Sequence, residues 1–326
     1  PDAADRSSSA AKRIVLPWGW EHYPGSPRES GRIDHQRGAA AMKKTFSLGK
    51  FDVELDTDAC DYTNNANLTI NLKLGFRQIN PSGGAAEGTY NDYGDPADEP
   101  RKIIKWTDGS WKIWKDNLCN TAQAYWNGKF WLMNSRGVLA YPAKGQVMLP
   151  NFYCKFKITG GDATVGTWHH IIDVVRLHKT EDWFGSHSKL YDSNDTKSVK
   201  KNTDSKGKKV MQMAHVHEVG HLLGLDHVDV GKAHCPATSD TNAKQCYGIS
   251  DHDMKSVMGS GMRLDTEHAQ PWVSALWALD ILGNVPDSPH YSRPLLKRLA
   301  NWPVKMKRHY PRTSAEYEAD TLITSR

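Results

Sequence analysis

The 326-residue sequence has no long apolar run. A membrane-spanning helix needs roughly 18 or more consecutive apolar residues, and polar or charged residues interrupt every stretch that approaches this length. Residues 42–44 (Met-Lys-Lys) have the charge of a signal-peptide start, but Ser47, Lys50 and Asp52 break the apolar region that would have to follow. The sequence therefore predicts neither a membrane span nor a signal peptide.

The chain also lacks a strong excess of one charge. Its 42 Lys and Arg residues against 37 Asp and Glu residues leave a net charge of +5. This excess is too small to indicate a nucleic-acid partner, for which a clear basic surface would be expected. Hydrophobic residues make up 38% of the chain, which is enough to bury a sizeable core.

Cysteines are few and odd in number. An odd count leaves at least one thiol free or paired between chains. Cys235 and Cys246 flank a polar loop and can close a disulfide or remain two thiols, because connectivity cannot be deduced from sequence. The redox compartment is therefore left open. The five cysteines are Cys60, Cys119, Cys154, Cys235 and Cys246.

The chain divides by composition into three parts. Residues 1–45 are rich in Ser, Ala, Gly, Pro and Arg without periodicity, which predicts a flexible tail or linker. Residues 46–285 hold the apolar patterns of a folded domain, and residues 286–326 form a basic, Pro-containing extension. The linker-like start at Pro1, without Met, suggests that the chain is cut from a larger protein.

Apolar periodicity predicts the main elements. Residues 68–76 alternate as a half-buried strand, residues 152–158 alternate likewise, and residues 168–177 suit a more buried strand. Asp108 is predicted as the N-cap of a helix in which apolar residues follow at steps of three and four, namely Trp111, Trp114, Leu118, Ala122 and Tyr125.

Two further helices are predicted after a polar segment. Residues 185–209 are polar and rich in lysine, with Lys197, Lys200, Lys201, Lys206, Lys208 and Lys209 among them, and suit a solvated loop. A helix is expected over residues 210–223, and another through Trp272 and Leu276 with Gly283 as its C-terminal stop.

The chemistry lies in residues 217–227, which follow the pattern H-E-x-x-H-x-x-G-x-x-H. His217 and His221 are four apart, so a helix places both imidazoles on one face. Gly224 permits the left-handed turn that brings His227 back to the same point. Glu218 is angled away from the ligands and suits a general base.

Three neutral imidazoles leave zinc an open position for water, whose pKa then falls towards about 7. Glu218 would take the proton of this water and pass it to the leaving amine. A structural zinc site is disfavoured, since such sites have four protein ligands and favour cysteine. A later acid such as Glu267 as third ligand is a weaker alternative to His227.

This segment resembles the zinc helix of metzincins and is closest to matrixins, through residues 223–227 (Leu-Gly-Leu-Asp-His). Metzincins also have a Met-turn whose methionine lies beneath the metal. Met258, within residues 256–260 (Ser-Val-Met-Gly-Ser), fits this role better than Met254 or Met262. Some metzincins have a tyrosine ligand two residues after this methionine, where the present chain has Ser260.

The resemblance implies an α+β fold: a twisted, mostly parallel sheet with two long helices above a smaller irregular C-terminal subdomain with a third helix. It implies a zinc endopeptidase that takes an extended protein or peptide substrate in a cleft, with residues 261–264 as a wall of one pocket. We expect a monomer that is secreted or delivered outside the producing cell, either as a secreted protease or as the protease module of an effector or toxin. A binding module with a relic zinc site is the alternative.

Two matrixin features are not found in the sequence. No cysteine-switch motif is present, and Cys60 is a poor candidate for blocking zinc. No calcium-loop pattern is recognisable, so calcium is unsupported, and a solvated loop is the better interpretation of the acidic residues Asp92, Asp95, Asp98 and Glu99.

Overall fold

The structure is a computed structural model. It describes residues 43–56, 65–91, 100–134, 141–143, 146–148, 150–182, 189–236, 243–283 and 304–306. All of these residues belong to one of two compact units, Gly38–Arg326. The other unit, Pro1–Arg37, and most of the predicted tail lie outside the described residues.

Strands and helices alternate irregularly, as in an α+β protein. The strands are β1 Lys43–Ser47, β2 Asp52–Asp56, β3 Asn65–Ile79, β4 Glu87–Tyr90, β5 Arg101–Ile104, β6 Phe130–Leu132, β7 Tyr141–Ala143, β8 Gln146–Met148, β9 Asn151–Asp162, β10 His170–Val175, β11 Leu190–Asp192, β12 Ser198–Thr203, β13 Lys209–Met213 and β14 Val304–Met306. The α-helices are α1 Asp108–Trp126, α2 Ala214–Leu222, α3 Asp251–Met254 and α4 Gln270–Gly283. Short 3-10 helices span Ser82–Gly84, Lys244–Tyr247 and Thr266–Ala269.

The main sheet has eight strands and is mixed. Its centre is parallel: β3 pairs with β9 and β10, and β10 pairs with β11. Its flanks are antiparallel, through β1–β2, β2–β3, β6–β9 and β14–β6. The sheet is therefore less uniformly parallel than expected, because a short turn such as that between β1 and β2 can join only antiparallel strands.

Tryptophans join the layers of the core. Each buried indole N–H needs an acceptor, and four of them reach backbone carbonyls of another element. The bonds run from Trp106 to Val174 O (3.2 Å), from Trp114 to Asp192 O (3.1 Å), from Trp126 to Val216 O (3.2 Å) and from Trp272 to Lys155 O (2.8 Å). The bond from Trp126 fixes α1 against α2, which carries the histidine motif.

Helix α1 begins with a capping box. The Thr107 hydroxyl accepts from the Ser110 backbone N–H at 3.2 Å, and the Ser110 hydroxyl accepts from the Thr107 backbone N–H at 3.1 Å. The cap is therefore Thr107 and not the predicted Asp108, which is the first helical residue and places its carboxylate at the positive end of the helix dipole. Helix α4 ends at Gly283, as predicted.

The lysine-rich segment is a hairpin instead of a loop. Strands β12 and β13 pair antiparallel, with a register shift between Lys200 and Asn202. The predictions of a loop over 185–209 and of a helix from 210 are therefore wrong for these strands. Along β13 exposed and buried residues alternate, with Val210 and Gln212 buried, and a period of two favours a strand. The helix begins only at Ala214.

No helix in the described part of the chain has both the length and the apolar character that a membrane crossing requires. Within the predicted C-terminal extension, β14 adds to the main sheet beside β6.

Candidate metal centre

Three histidines converge on one point. The Nε2 atoms of His217 and His221 lie 3.1 Å apart, those of His221 and His227 lie 3.0 Å apart, and those of His217 and His227 lie 3.3 Å apart. His217 and His227 are buried and His221 is half-buried. The residues form a cluster that could hold a metal ion.

The end of α2 brings the third histidine back. Gly224 has φ +93°, in the region that glycine adopts without strain. The backbone N–H of Gly224 donates to His221 O (2.8 Å), and that of Leu225 donates to Gly220 O (3.0 Å), which is a Schellman cap. The chain therefore reverses after α2, as predicted, and His227 meets the two helical imidazoles.

Hydrogen bonds at the far side of two rings fix the tautomers. His217 Nδ1 lies 2.7 Å from Val257 O, and His221 Nδ1 lies 2.8 Å from Leu225 O. A carbonyl only accepts, so both Nδ1 atoms carry the proton and both Nε2 atoms present a lone pair. Two lone pairs 3.1 Å apart repel each other unless a cation lies between them.

The spacing suits zinc. Two nitrogens bound to Zn²⁺ at about 2.0–2.1 Å in tetrahedral geometry would lie roughly 3.3 Å apart. The observed separations of 3.0–3.3 Å are close to that value. Three imidazoles without thiolate are also a ligand set typical of a catalytic zinc site.

Burial keeps the imidazoles of His217 and His221 neutral. Desolvation lowers the pKa of His217 well below its ordinary value and lowers the pKa of His221 to about 4. The neighbouring histidines also lower these two pKa values. Both rings are therefore deprotonated at pH 7 and able to bind a cation, and they lose this ability as the pH falls through their pKa values.

Glu218 is buried next to the ligands but is not one of the clustered groups. Burial raises the pKa of its carboxyl to about 8, and the positive charge of Lys201 opposes this rise. A cation bound by the imidazoles would also lower the pKa of Glu218 and favour its ionised form. An ionisable side chain in this environment is typical of an acid–base catalyst.

Met258 lies in a tight turn beside α2. Gly259 N donates to Ser256 O at 3.0 Å, which closes the turn, and Met258 N donates to the Ser256 hydroxyl at 3.3 Å. The Met258 sulfur packs where a Cβ on Gly220 would lie. Of the rival methionines, Met262 instead accepts from Met213 N at 3.4 Å.

The packing of Met258 against Gly220 can be tested by a double-mutant cycle. Gly220→Ala should destabilise the protein by about 1–2 kcal/mol, since overpacking costs about 1–3 kcal/mol and helix propensity returns roughly 0.5–1 kcal/mol. The penalty should shrink in a Met258→Ala background, where the added methyl has space. Urea unfolding of the four proteins measures the coupling. Additivity within about 0.5 kcal/mol would contradict the contact.

Tyr247 is a site residue that sequence reasoning missed. Its ring centroid lies 3.9 Å from that of His227 and 5.9 Å from that of His217, to which it is nearly parallel at 16°. It therefore covers one side of the histidine cluster. It stands outside the zinc motif, and its only signal in the sequence is that it follows Cys246.

A disulfide between Cys235 and Cys246 closes a loop that ends directly before Tyr247. The question that the sequence left open is thus decided, while Cys119 and Cys154 are free thiols. Asp229 N donates to Cys246 O at 3.0 Å, which joins this loop to the segment directly after His227. The disulfide therefore anchors the residue before Tyr247, whose ring packs against His227.

Reduction of this disulfide should lower stability. The bond joins cysteines 11 residues apart, and closing a loop of this size contributes roughly 2–3 kcal/mol. We expect dithiothreitol to lower the free energy of unfolding of the native protein by that amount in urea titrations. A Cys235→Ala/Cys246→Ala variant should show the lower stability from the start and no response to the reductant. Equal stability with and without reductant in the native protein would contradict the expectation.

Other predicted residues lie apart from the cluster. Arg263 contacts the Asp265 carboxylate (2.8 Å) and His252 Nδ1 (2.7 Å), so its guanidinium is held by these partners. Glu267 is exposed, whereas His227 joins the cluster. Cys60 and the four acidic residues considered for calcium lie outside the described residues.

A second group of possible ligands comprises Asp265, Glu267 and His268. The His268 ring is already engaged, because its Nδ1 accepts from Asp265 N (2.8 Å) and its Nε2 lies 3.0 Å from the Ser256 hydroxyl. These contacts give His268 a structural role beside the turn of residues 256–261 around Met258, which we call the Met258 turn.

Comparisons of the chain with protein-family models, with curated proteins and with solved structures gave no match. The geometry of the site therefore carries the functional argument.

Proposed function

We propose that the chain is a zinc-dependent endopeptidase of the metzincin type. The observation that carries this proposal is the convergence of three Nε2 atoms within 3.0–3.3 Å, two with lone pairs fixed towards the same point. His217, His221 and His227 are the ligands. Zinc supplies a Lewis acid that polarises a peptide carbonyl and makes water acidic near neutral pH.

Glu218 performs the proton transfers. It follows the first ligand on α2 and is buried, so few bulk water molecules reach its carboxylate. As the base it accepts a proton from the attacking water, and as the acid it passes this proton to the leaving amine. The peptide bond is thereby hydrolysed without a covalent enzyme intermediate.

The arrangement around the cluster supports the metzincin assignment. A long helix, α1, packs against the motif helix through Trp126, a Schellman cap turns the chain at Gly224, and a tight turn places Met258 against Gly220. Helix α4, of 14 residues, follows after this turn. The described residues form an α+β fold with a mixed sheet, which does not conflict with the fold that the sequence resemblance implies.

We further propose that the protein works outside the producing cell, as a secreted protease or an effector or toxin module. The support is the disulfide Cys235–Cys246, because disulfides persist in oxidising compartments. A non-catalytic module with a relic zinc site is the other candidate. Glu218 argues against it, since burying an ionisable group has a free-energy cost that a binding module has no reason to bear.

The proposal is tested with purified full-length protein and casein as an unfolded substrate. We expect about one zinc per chain by elemental analysis, cleavage of casein, loss of cleavage with 1,10-phenanthroline and its return when zinc is restored. Cleavage that survives removal of the metal would refute a zinc mechanism. Zinc binding without cleavage of casein or of a mixed peptide library would favour the binding module.

A further inference from the structure

Gln212 lies on β13, one residue before the N-cap of α2, and its side chain is buried. Its amide nitrogen lies 2.8 Å from Gly259 O, 3.2 Å from Gly261 O and 3.3 Å from Val257 O. Two N–H groups are thus shared among three backbone carbonyls of the Met258 turn. The opposite amide orientation would turn an oxygen towards three carbonyl oxygens, so the geometry fixes the nitrogen as the inward atom.

One of these carbonyls also orients a proposed zinc ligand. Val257 O accepts from His217 Nδ1 at 2.7 Å, and Gln212 approaches the same oxygen from the strand side. The contact between the Gln212 amide nitrogen and His217 Nδ1, at 3.4 Å, joins two donors and is not a hydrogen bond. Gln212 and His217 therefore meet at a shared acceptor, which Gln212 helps to hold in place.

The same hairpin also holds the segment before the turn. At its tip Asp204 pairs with Lys255 (2.7 Å), and Ser205 N donates to the Asp251 carboxylate (2.9 Å). The chain from α3 to Gly261 is thus attached to the hairpin at both ends, by the contacts of Asp204 and Ser205 at the tip and by the buried amide of Gln212 at the base. Of these contacts, those of Gln212 reach the carbonyl that orients His217.

We propose that Gln212 is a positioning residue for the metal centre. It fixes Val257 O and thereby the ring orientation and tautomer of His217, and it fixes the backbone on both sides of Met258. This inference rests on the proposed zinc site. Removing a group that supports a metal-bound histidine typically weakens metal affinity or activity by about 10–100-fold.

The test compares zinc affinity in full-length variants by competition with a chromophoric chelator. Gln212→Met keeps the length of the side chain and removes the amide, and we expect its zinc affinity to fall about 10–100-fold with a parallel fall in casein cleavage. Gln212→Asn keeps the amide but withdraws it by one methylene, and it should also weaken zinc binding. Gln212→Asn replaces Gln212→Met in this test if the methionine variant does not fold.

Gln123→Met is the matched control. Gln123 on α1 accepts from Ile158 N at 3.0 Å, a structural bond to β9, so its loss should lower stability without changing zinc affinity. A folded Gln212 variant with zinc affinity within about twofold of the wild type would overturn the proposal. If the wild type binds zinc but cleaves nothing, the proposed function fails and the affinity test still decides the role of Gln212. If the wild type binds no zinc, both proposals fall.

Discussion

Replacing Glu218 with glutamine should slow peptide hydrolysis by orders of magnitude and leave zinc bound. The amide has nearly the same shape as the carboxylate but cannot accept a proton at neutral pH. General acid–base catalysis contributes typically 10²–10⁴-fold, so we expect a fall in kcat of about this size. The imidazoles of His217 and His221 keep their positions, because their Nδ1 contacts run to Val257 O and Leu225 O and not to Glu218.

The measurement pairs initial rates of cleavage of a fluorogenic peptide, selected from casein fragments, with zinc content. Glu267→Gln is the control, since Glu267 is an exposed carboxylate outside the histidine cluster, and it should retain full activity. Loss of zinc in Glu218→Gln would show that Glu218 is a ligand. Undiminished cleavage in that variant would exclude it as the base.

Replacing His227 with alanine should nearly eliminate zinc binding. His227 Nε2 lies 3.0 and 3.3 Å from the other two Nε2 atoms, so it completes the ligand triangle. The two imidazoles left on α2 cannot enclose the ion. We expect zinc affinity to fall by more than the roughly 100-fold associated with losing only a supporting hydrogen bond, and cleavage to disappear.

Thermal and chemical unfolding give a second readout of this variant. A ligand present at about 100 times its Kd stabilises the native state by roughly 2.7 kcal/mol. Wild type and the control His178→Ala should gain this stability when zinc is added, whereas His227→Ala should gain almost none at the same concentration. If His227→Ala still binds zinc tightly, another group supplies the third ligand, and Glu267→Gln in the same background would identify or exclude the alternative acid.

The local features of the site followed from the sequence. His217 and His221 meet because a helix repeats every 3.6 residues, and Gly224 ends that helix because its backbone tolerates φ +93°. Likewise, apolar residues at steps of three and four predicted α1 and α4, and Gly283 predicted where α4 ends. Each of these features depends on residues that lie close together in the chain.

The tertiary structure decided what depends on distant residues. The sequence left the bond between Cys235 and Cys246 open, because pairing depends on the path of the loop between them. It did not reveal Tyr247 against His227, or Gln212 at the carbonyls of the Met258 turn. It also mistook the strands of the lysine-rich hairpin for a loop and the start of a helix, because composition outweighed the short alternation of β13. Helical spacing and the turn at Gly224 brought the three histidines together, whereas the groups beside them were assembled by packing between segments that no local pattern connects.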